Sequence, residues 1–361
     1  MDGFLILEDG TMYTGQAFGQ PENCFFEIVF NTGMAGYTET ISDPGFGGQG
    51  LVMTFPVIGN HGVRRSEIQS SRLALSALIV REFYDGALDP RADLSLDTWL
   101  KEEGVPGLWG IDTRSLTGHL RDNGTMRAAL CFETLPDIYD LLREIREWQM
   151  PEQVPLAGVS ESEFFKRAVA GDEPSKHIAV IDYGTKRGLI EQLNLLGADV
   201  TLLPYDVTAR QVLATGCDGV LLGSGPGDPK SCPEQIEVIG ELLTLGKPLM
   251  AIGLGHQMLC LAAGLDTEKM SFGHRGSSHP VRSLRTGKLY QTSQNHGYVV
   301  SRHSLEPSMQ PLEITFEHLN DDTVEGVRFT DRKIRSYQFH PEERSGPSDT
   351  FFLLKEFFDD L

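Results

Sequence analysis

Pro248-Leu-Met-Ala-Ile-Gly-Leu-Gly-His-Gln257 is the stretch on which the reading of this chain turns. A short apolar run meets a glycine and passes at once into helix-forming sequence, the pattern of a strand, a tight turn and a helix. Enzymes that carry a nucleophile on such an elbow place it at the turn residue, lifted by the turn and aimed by the helix N-terminus. Here that residue is Gly253, which has no side chain to react.

The elbow lies within a run of alternating elements. His177–Asp182 reads as a strand, Thr185–Leu196 as a helix stopped by Gly197, and Val200–Leu203 and Gly219–Leu222 as further strands. Pro233–Leu245 reads as a helix and Pro248–Ile252 as the strand that enters the turn. Such alternation implies βαβ units, and so an α/β domain with an open, mainly parallel sheet flanked by helices and ligands at the strand C-termini. This domain is placed at residues 177–361. Upstream, Phe4–Leu7, Met12–Ala17 and Phe25–Phe30 read as short strands between glycine turns, and Asp93–Glu102 and Leu135–Trp148 as helices. Residues 1–150 are therefore read as a smaller α+β domain, and the Pro-, Gly- and charge-rich segment 151–176 as a linker.

A chain of 361 residues is long enough for two such domains. Its 40% hydrophobic and 23% charged content is that of an ordinary globular protein. The formal net charge of −20 disfavours nucleic acid and anionic membrane surfaces as partners. The N-terminal Met1–Asp9 has no basic region before its apolar run, and no stretch reaches membrane-spanning length. Five scattered cysteines without CxxC spacing suit a reducing cytoplasm and supply neither a disulfide framework nor a zinc site. His256 and His274 read as structural, because no cluster of Cys, His and Asp accompanies either at ligand spacing, and no metal is expected in this chain.

Four segments carry chemistry. Gly223-Ser-Gly-Pro-Gly-Asp-Pro229 follows a buried strand; its glycines allow backbone N–H groups to approach an oxyanion or carboxylate, although by itself it is also a plain turn. Gly253-Leu-Gly255 resembles the start of a dinucleotide-binding GxGxxG run, but Met258 stands at the third glycine and the segment comes late in the domain. Gln294-Asn-His-Gly-Tyr298 groups polar side chains around a glycine. In Tyr337-Gln-Phe-His-Pro-Glu342 a histidine ends an apolar strand, and the carboxylate of Glu342 lies where it can orient His340 as a base. Cys260 does not replace the missing nucleophile, since seven helical residues carry it about 10 Å along the axis.

Together, Gly225-Pro-Gly-Asp-Pro229, Gly253-Leu-Gly-His-Gln257 and His340-Pro-Glu342 resemble the class I (triad-type) glutamine amidotransferases. The first half narrows this. Leu7-Glu-Asp-Gly-Thr11, Phe30-Asn-Thr-Gly-Met-Ala-Gly-Tyr37, Phe55-Pro-Val-Ile-Gly-Asn60, Val80-Arg-Glu82 and Gly110-Ile-Asp-Thr-Arg-Ser-Leu-Thr117 are similar to the N-terminal domain of the carbamoyl phosphate synthetase small subunit. The likeness runs in order over essentially the whole chain. It implies a subunit that hydrolyses glutamine and passes ammonia through a tunnel to a large subunit. That partner makes carbamoyl phosphate from bicarbonate and ATP, so ATP and Mg2+ are expected there and no cofactor in this chain.

Carried over residue by residue, the resemblance makes His340 the base and Glu342 its orienter. The N–H groups of Leu254 and Gly227 become oxyanion donors, and Gly225, Gln257, Asn295, Gly297 and Tyr298 contact glutamine. The nucleophile position falls on Gly253. A second departure is Gly45 in Asp43-Pro-Gly-Phe-Gly-Gly-Gln49, where the family usually has a serine that contacts glutamine; Ser224 likewise replaces the usual asparagine. The expectation is a small subunit that supports carbamoyl phosphate synthesis for arginine and pyrimidines from the cytoplasm without hydrolysing glutamine itself. Two alternatives stand beside it: an ordinary active glutaminase whose Gly253 is an introduced or erroneous residue, and a glutamine-binding scaffold without catalysis. A higher-order oligomer of heterodimers is compatible with each.

Overall fold

In the computed structural model, which describes residues 1–168, 175–305, 311–342 and 346–361, the chain divides into two units at Pro151. In the first, strands β1 (Asp2–Leu7), β2 (Met12–Gly19), β3 (Cys24–Asn31), β4 (Gln49–Met53), β5 (Val57–Ile58), β6 (Ala77–Ile79), β7 (Glu82–Phe83), β8 (Pro106–Trp109) and β9 (Met126–Phe132) form its sheets. Seven of them close into a barrel in the order β1-β2-β8-β6-β4-β3-β9, while β5 and β7 pair separately. Closure leaves the barrel no free edge. Helices α1 (Tyr37–Ile41), α2 (Leu96–Glu102), α3 (Thr113–Asn123) and α4 (Ile138–Glu147) complete the unit.

The two long helices expected from the sequence start later than their hydrophobic patterns suggest, and capping is the reason. Ser95 accepts a hydrogen bond from the Thr98 amide, and Asp137 accepts from the amides of Tyr139 and Asp140. Each cap satisfies first-turn donors that would otherwise face water, an effect of about 1 kcal/mol.

The second unit contains α5 (Val154–Ala157), β10 (Glu163–Phe165), β11 (Lys176–Ile181), α6 (Arg187–Leu196), β12 (Ala198–Leu203), α7 (Ala209–Ala214), β13 (Gly219–Leu222), α8 (Pro233–Leu243), β14 (Leu249–Ile252) and α9 (Leu254–Ala262). There follow β15 (Thr267–Ser283), β16 (Leu289–Val300), β17 (Leu312–His318), β18 (Val324–Phe329), β19 (Ile334–Tyr337) and α10 (Phe352–Asp360). One sheet runs β10-β12-β11-β13-β14-β19-β18-β16-β15-β17. Its centre, β12 through β19, is parallel, and the flanking strands are antiparallel. The innermost strands β13 and β14 are apolar because helices cover both faces, and every residue of the two is buried.

The segment read as a linker contributes to this unit: β10 adds to the sheet edge, antiparallel to β12. Gly171 through Pro174, part of the same reading, lie outside the described residues. Among the described residues no helix is long and apolar enough to cross a membrane. The arrangement puts the C-terminal ends of β11, β13, β14 and β19 side by side, and each runs directly into a segment of the candidate site.

Candidate active site

The elbow has the backbone that the sequence implies. Gly253 has φ 57 and ψ −115, a region in which an L side chain is strained, and it links β14 directly to α9. Its N–H donates to the Tyr337 carbonyl at 2.9 Å, and its carbonyl accepts from the Gln257 amide at 3.2 Å. A Cβ placed on Gly253 would lie 3.1 Å from the Cβ of Ser224 and would otherwise meet little. Two residues on, glycine is obligatory: a Cβ on Gly255 would sit 2.6 Å from the Leu222 carbonyl oxygen. That close approach lets the Gly255 amide donate to Gly223 at 3.1 Å and pins the 223–227 loop to the elbow.

The loop after β13 holds Gly225 and Gly227. Gly225 packs so tightly on the next strand's exit that a Cβ would stand 2.2 Å from the Tyr183 carbonyl oxygen. Gly227 has φ 94 and open space beside it. Leu254 is the first residue of α9, so its N–H has no acceptor within the helix and is available in the sense an oxyanion hole requires.

His340 and Glu342 meet as expected. The His340 Nδ1 lies 2.9 Å from Glu342 Oε1, and both residues are buried. A carboxylate only accepts, so Nδ1 carries the proton and Nε2 is left with the basic lone pair. The His340 amide donates to the Ser293 carbonyl at 2.9 Å, which ties the base to β16.

Sequence reasoning passed over Lys186. Its Nζ lies 2.9 Å from the same Glu342 Oε1, with side-chain exposures of 1% and 2%. Burial by itself would raise the Glu342 pKa; the Lys186 charge and then His340 overcome it and hold the carboxyl well below its ordinary range. Lys186 is placed by the turn after β11, in which Asp182 accepts from the amides of Gly184 and Thr185 at 3.0 and 2.7 Å. A cation just beyond a buried strand, at the sheet end where ligands bind, was the available signal.

The remaining expected contacts gather around β16. Gln257 donates through Nε2 to the Tyr298 carbonyl at 2.7 Å and to Gln338 Oε1 at 3.0 Å. Its amide nitrogen is thus committed to bracing the strand that carries Asn295, Gly297 and Tyr298. Gln338 Nε2 is buried with no hydrogen-bond partner among the described residues. Gly45 belongs to the first unit, in the turn Pro44–Phe46, where its amide donates to Asp43 at 2.8 Å.

His274 does have company, contrary to the expectation from spacing. Pairing of β15 to β18 collects His274, His279, His296, His318 and Glu325, with ligating atoms within 4.8 Å of one another in two groups. No local motif encodes this, because the residues come from different strands. His279 Nδ1 and His318 Nε2 face each other at 3.4 Å, and with His274 they form one of the two groups that could hold a metal ion. As they stand, His274 bridges Gln294 and Asp321 at 3.0 and 2.8 Å, and His296 bonds the Tyr298 carbonyl at 2.9 Å. The cluster therefore braces the 295–298 segment. Burial would lower the His274 pKa, but Asp321 and Glu325 push it up to about 9.

His256 is fully buried on a 2.7 Å contact with Ser336, and burial takes its pKa down to about 3. Cys260 is also fully buried, and burial pushes its thiol well above the ordinary value. It is no substitute for a nucleophile at 253.

Two family models match the chain. Residues 5–130 match the carbamoyl-phosphate synthase small chain, CPSase domain, and residues 179–360 the class-I glutamine amidotransferases. A carbamoyl phosphate synthase small chain of Bacillus caldolyticus is 45% identical over 355 residues, covering 98% of this chain and 94% of that one. A pyrimidine-specific small chain of Bacillus subtilis is 42% identical, covering 98% and 94%. Among solved structures, a glutamine amidotransferase from Thermotoga maritima aligns with a TM-score of 0.37 at 15% identity, over 52% of this chain and 85% of that one.

Proposed function

Since the chain belongs to the carbamoyl-phosphate synthase small-chain family, we propose that it is the small, glutamine amidotransferase subunit of a carbamoyl phosphate synthase in which glutamine hydrolysis has been lost. The observation that carries the loss is Gly253 at the apex of an otherwise complete elbow. Catalysis on such a site needs a thiolate to attack the carboxamide, a base to take and return its proton, and N–H donors for the tetrahedral oxyanion. His340, with its basic Nε2 set by Glu342 and Lys186, can handle the proton. Leu254 and Gly227 can supply the donors. No thiol stands between them, so the acyl-enzyme cannot form.

The subunit acts on this reading as a scaffold for a large subunit that holds ATP and Mg2+ and takes free ammonia. The pair works as a cytoplasmic heterodimer, able to associate further, and its product serves arginine or pyrimidine synthesis. The test is carbamoyl phosphate synthesis by the reconstituted pair with ammonium chloride or glutamine, beside a Gly253→Cys variant. Activity with ammonium alone, extended to glutamine by the cysteine, is expected. Glutamine-dependent activity in the unaltered chain would overturn the loss.

A second reading has one observation in its favour. The His340–Glu342–Lys186 array is intact although nothing remains for it to activate, as in an active glutaminase whose Gly253 is an introduced or erroneous residue. A cysteine codon at this position in the source gene would establish that reading.

A further inference from the structure

A cavity of about 550 Å3 opens on the sheet face that carries α10, bounded by residues of β15 to β19, and none of its lining side chains belongs to the elbow site. Its volume is that of a small-metabolite pocket. Its wall is richer in basic side chains than the molecule as a whole. The chain has 51 acidic and 31 basic residues, yet the wall gathers Arg285, Arg328, Arg332, Lys333 and Arg335 against only Glu356, Asp359 and Asp360.

Four of these cations have protein partners. Arg335 meets Glu356 and Asp360, Lys333 the Asp360 carbonyl, Arg328 meets Glu313, and Arg332 meets Asp331. An arginine has five N–H donors, and these pairings leave some of them over. Arg285 is different: it is exposed, and no ion pair or hydrogen bond holds it among the described residues. Beside the cations lies a continuous set of rings. Tyr290 packs 5.5 Å from Phe352 and 6.1 Å from Phe316, and Phe316 meets Tyr337 edge-on at 5.7 Å. Phe352 is 37% exposed, so this apolar wall reaches the mouth of the cavity.

We propose that the cavity is a binding site for a flat aromatic ring bearing phosphate, of the nucleoside phosphate class. The ring packs on the Tyr290–Phe352 lip, and Arg285 with the spare donors of Arg328 holds the phosphate. Guanidinium groups match phosphate oxygens in pairs, and aromatic faces accept any planar base. The site is independent of what happens at Gly253.

The test is calorimetric titration of the full-length chain alone, so that ATP sites of a large subunit do not contribute. AMP, ATP, adenosine and inorganic phosphate are the probes, with Arg285→Glu and Phe352→Ala as variants and a thermal melt of each to confirm folding. Saturable one-to-one binding of the nucleotides is expected, weakened about tenfold or more by either variant and by omission of either the phosphate or the ring. Absence of nucleotide binding would overturn the proposal. So would nucleotide affinity unchanged in Arg285→Glu, which puts the site elsewhere, or phosphate binding as well as AMP with Phe352→Ala unaffected, which leaves a bare anion patch.

Discussion

Lys186 Nζ and His340 Nδ1 both lie 2.9 Å from one oxygen of Glu342, and all three side chains are buried. The carboxylate is therefore ionised by a fixed cation rather than by water, and its second oxygen has no hydrogen-bond partner among the described residues. An arrangement of this kind is a stability element as well as a catalytic one, because the charges can be buried only together.

Lys186→Met removes one member and leaves a buried carboxylate with a histidine alone. Unfolding in urea should show a loss of about 3–5 kcal/mol. The double variant Lys186→Met/Glu342→Gln should lose less than the sum of the two single variants. Additive losses would mean that the two residues do not act as a pair.

Gly253→Cys should exchange stability for activity. At φ 57 and ψ −115 the new side chain adopts a sparsely populated backbone region and crowds Ser224 at 3.1 Å. A decrease of about 1–3 kcal/mol is expected, together with a covalent glutamyl thioester detectable by mass spectrometry after incubation with glutamine. A variant that folds with unchanged stability and forms no thioester would show that the elbow is not poised as described.

The buried histidines set opposing limbs in the pH dependence of stability. His274 rises from an ordinary 6.5 to about 9, so its contribution is complete below pH 6.5 and is lost as pH climbs through 9. His279 falls to about 4, through burial and then the His274 charge, and His256 to about 3, through burial alone. The unfolded chain binds protons at these two sites first, so stability also falls as pH drops below 6.5. Denaturation midpoints should peak near pH 6.5, and His274→Gln should flatten the alkaline limb and soften the His279 share of the acid limb, leaving the His256 share. A midpoint that climbs steadily from pH 6.5 to 9 would contradict this.

Two glycines that look alike in sequence should respond oppositely to alanine. Gly225→Ala drives a Cβ to 2.2 Å from the Tyr183 carbonyl oxygen, a backbone atom that cannot turn aside, and should displace the loop and destabilise the domain. Gly240→Ala lies in α8 with nothing within 4 Å and should stabilise by about 1 kcal/mol through helix propensity. Thermal melts of the two variants distinguish these effects directly.

The family, the α/β class of the second unit, the elbow and the His340–Glu342 pair were all legible in the chain as written. Each depends on short-range features: apolar runs of strand length, glycines where the backbone must turn or approach closely, and a carboxylate two residues from its histidine. The closure of the first unit into a barrel was not legible, because β3, β4, β6 and β8 pair in parallel across long connections. Lys186 was passed over for the same reason, since its partner lies at the end of a distant strand. His274 was judged by its neighbours in sequence, whereas its companions His279, His296, His318 and Glu325 arrive only when β15 to β18 are laid side by side. The cation-lined cavity beside α10 likewise draws its residues from five strands, their connections and a helix. Local periodicity and turn chemistry are written residue by residue; the burial that fixes a charge, shifts a pKa or shapes a pocket exists only once the strands have paired.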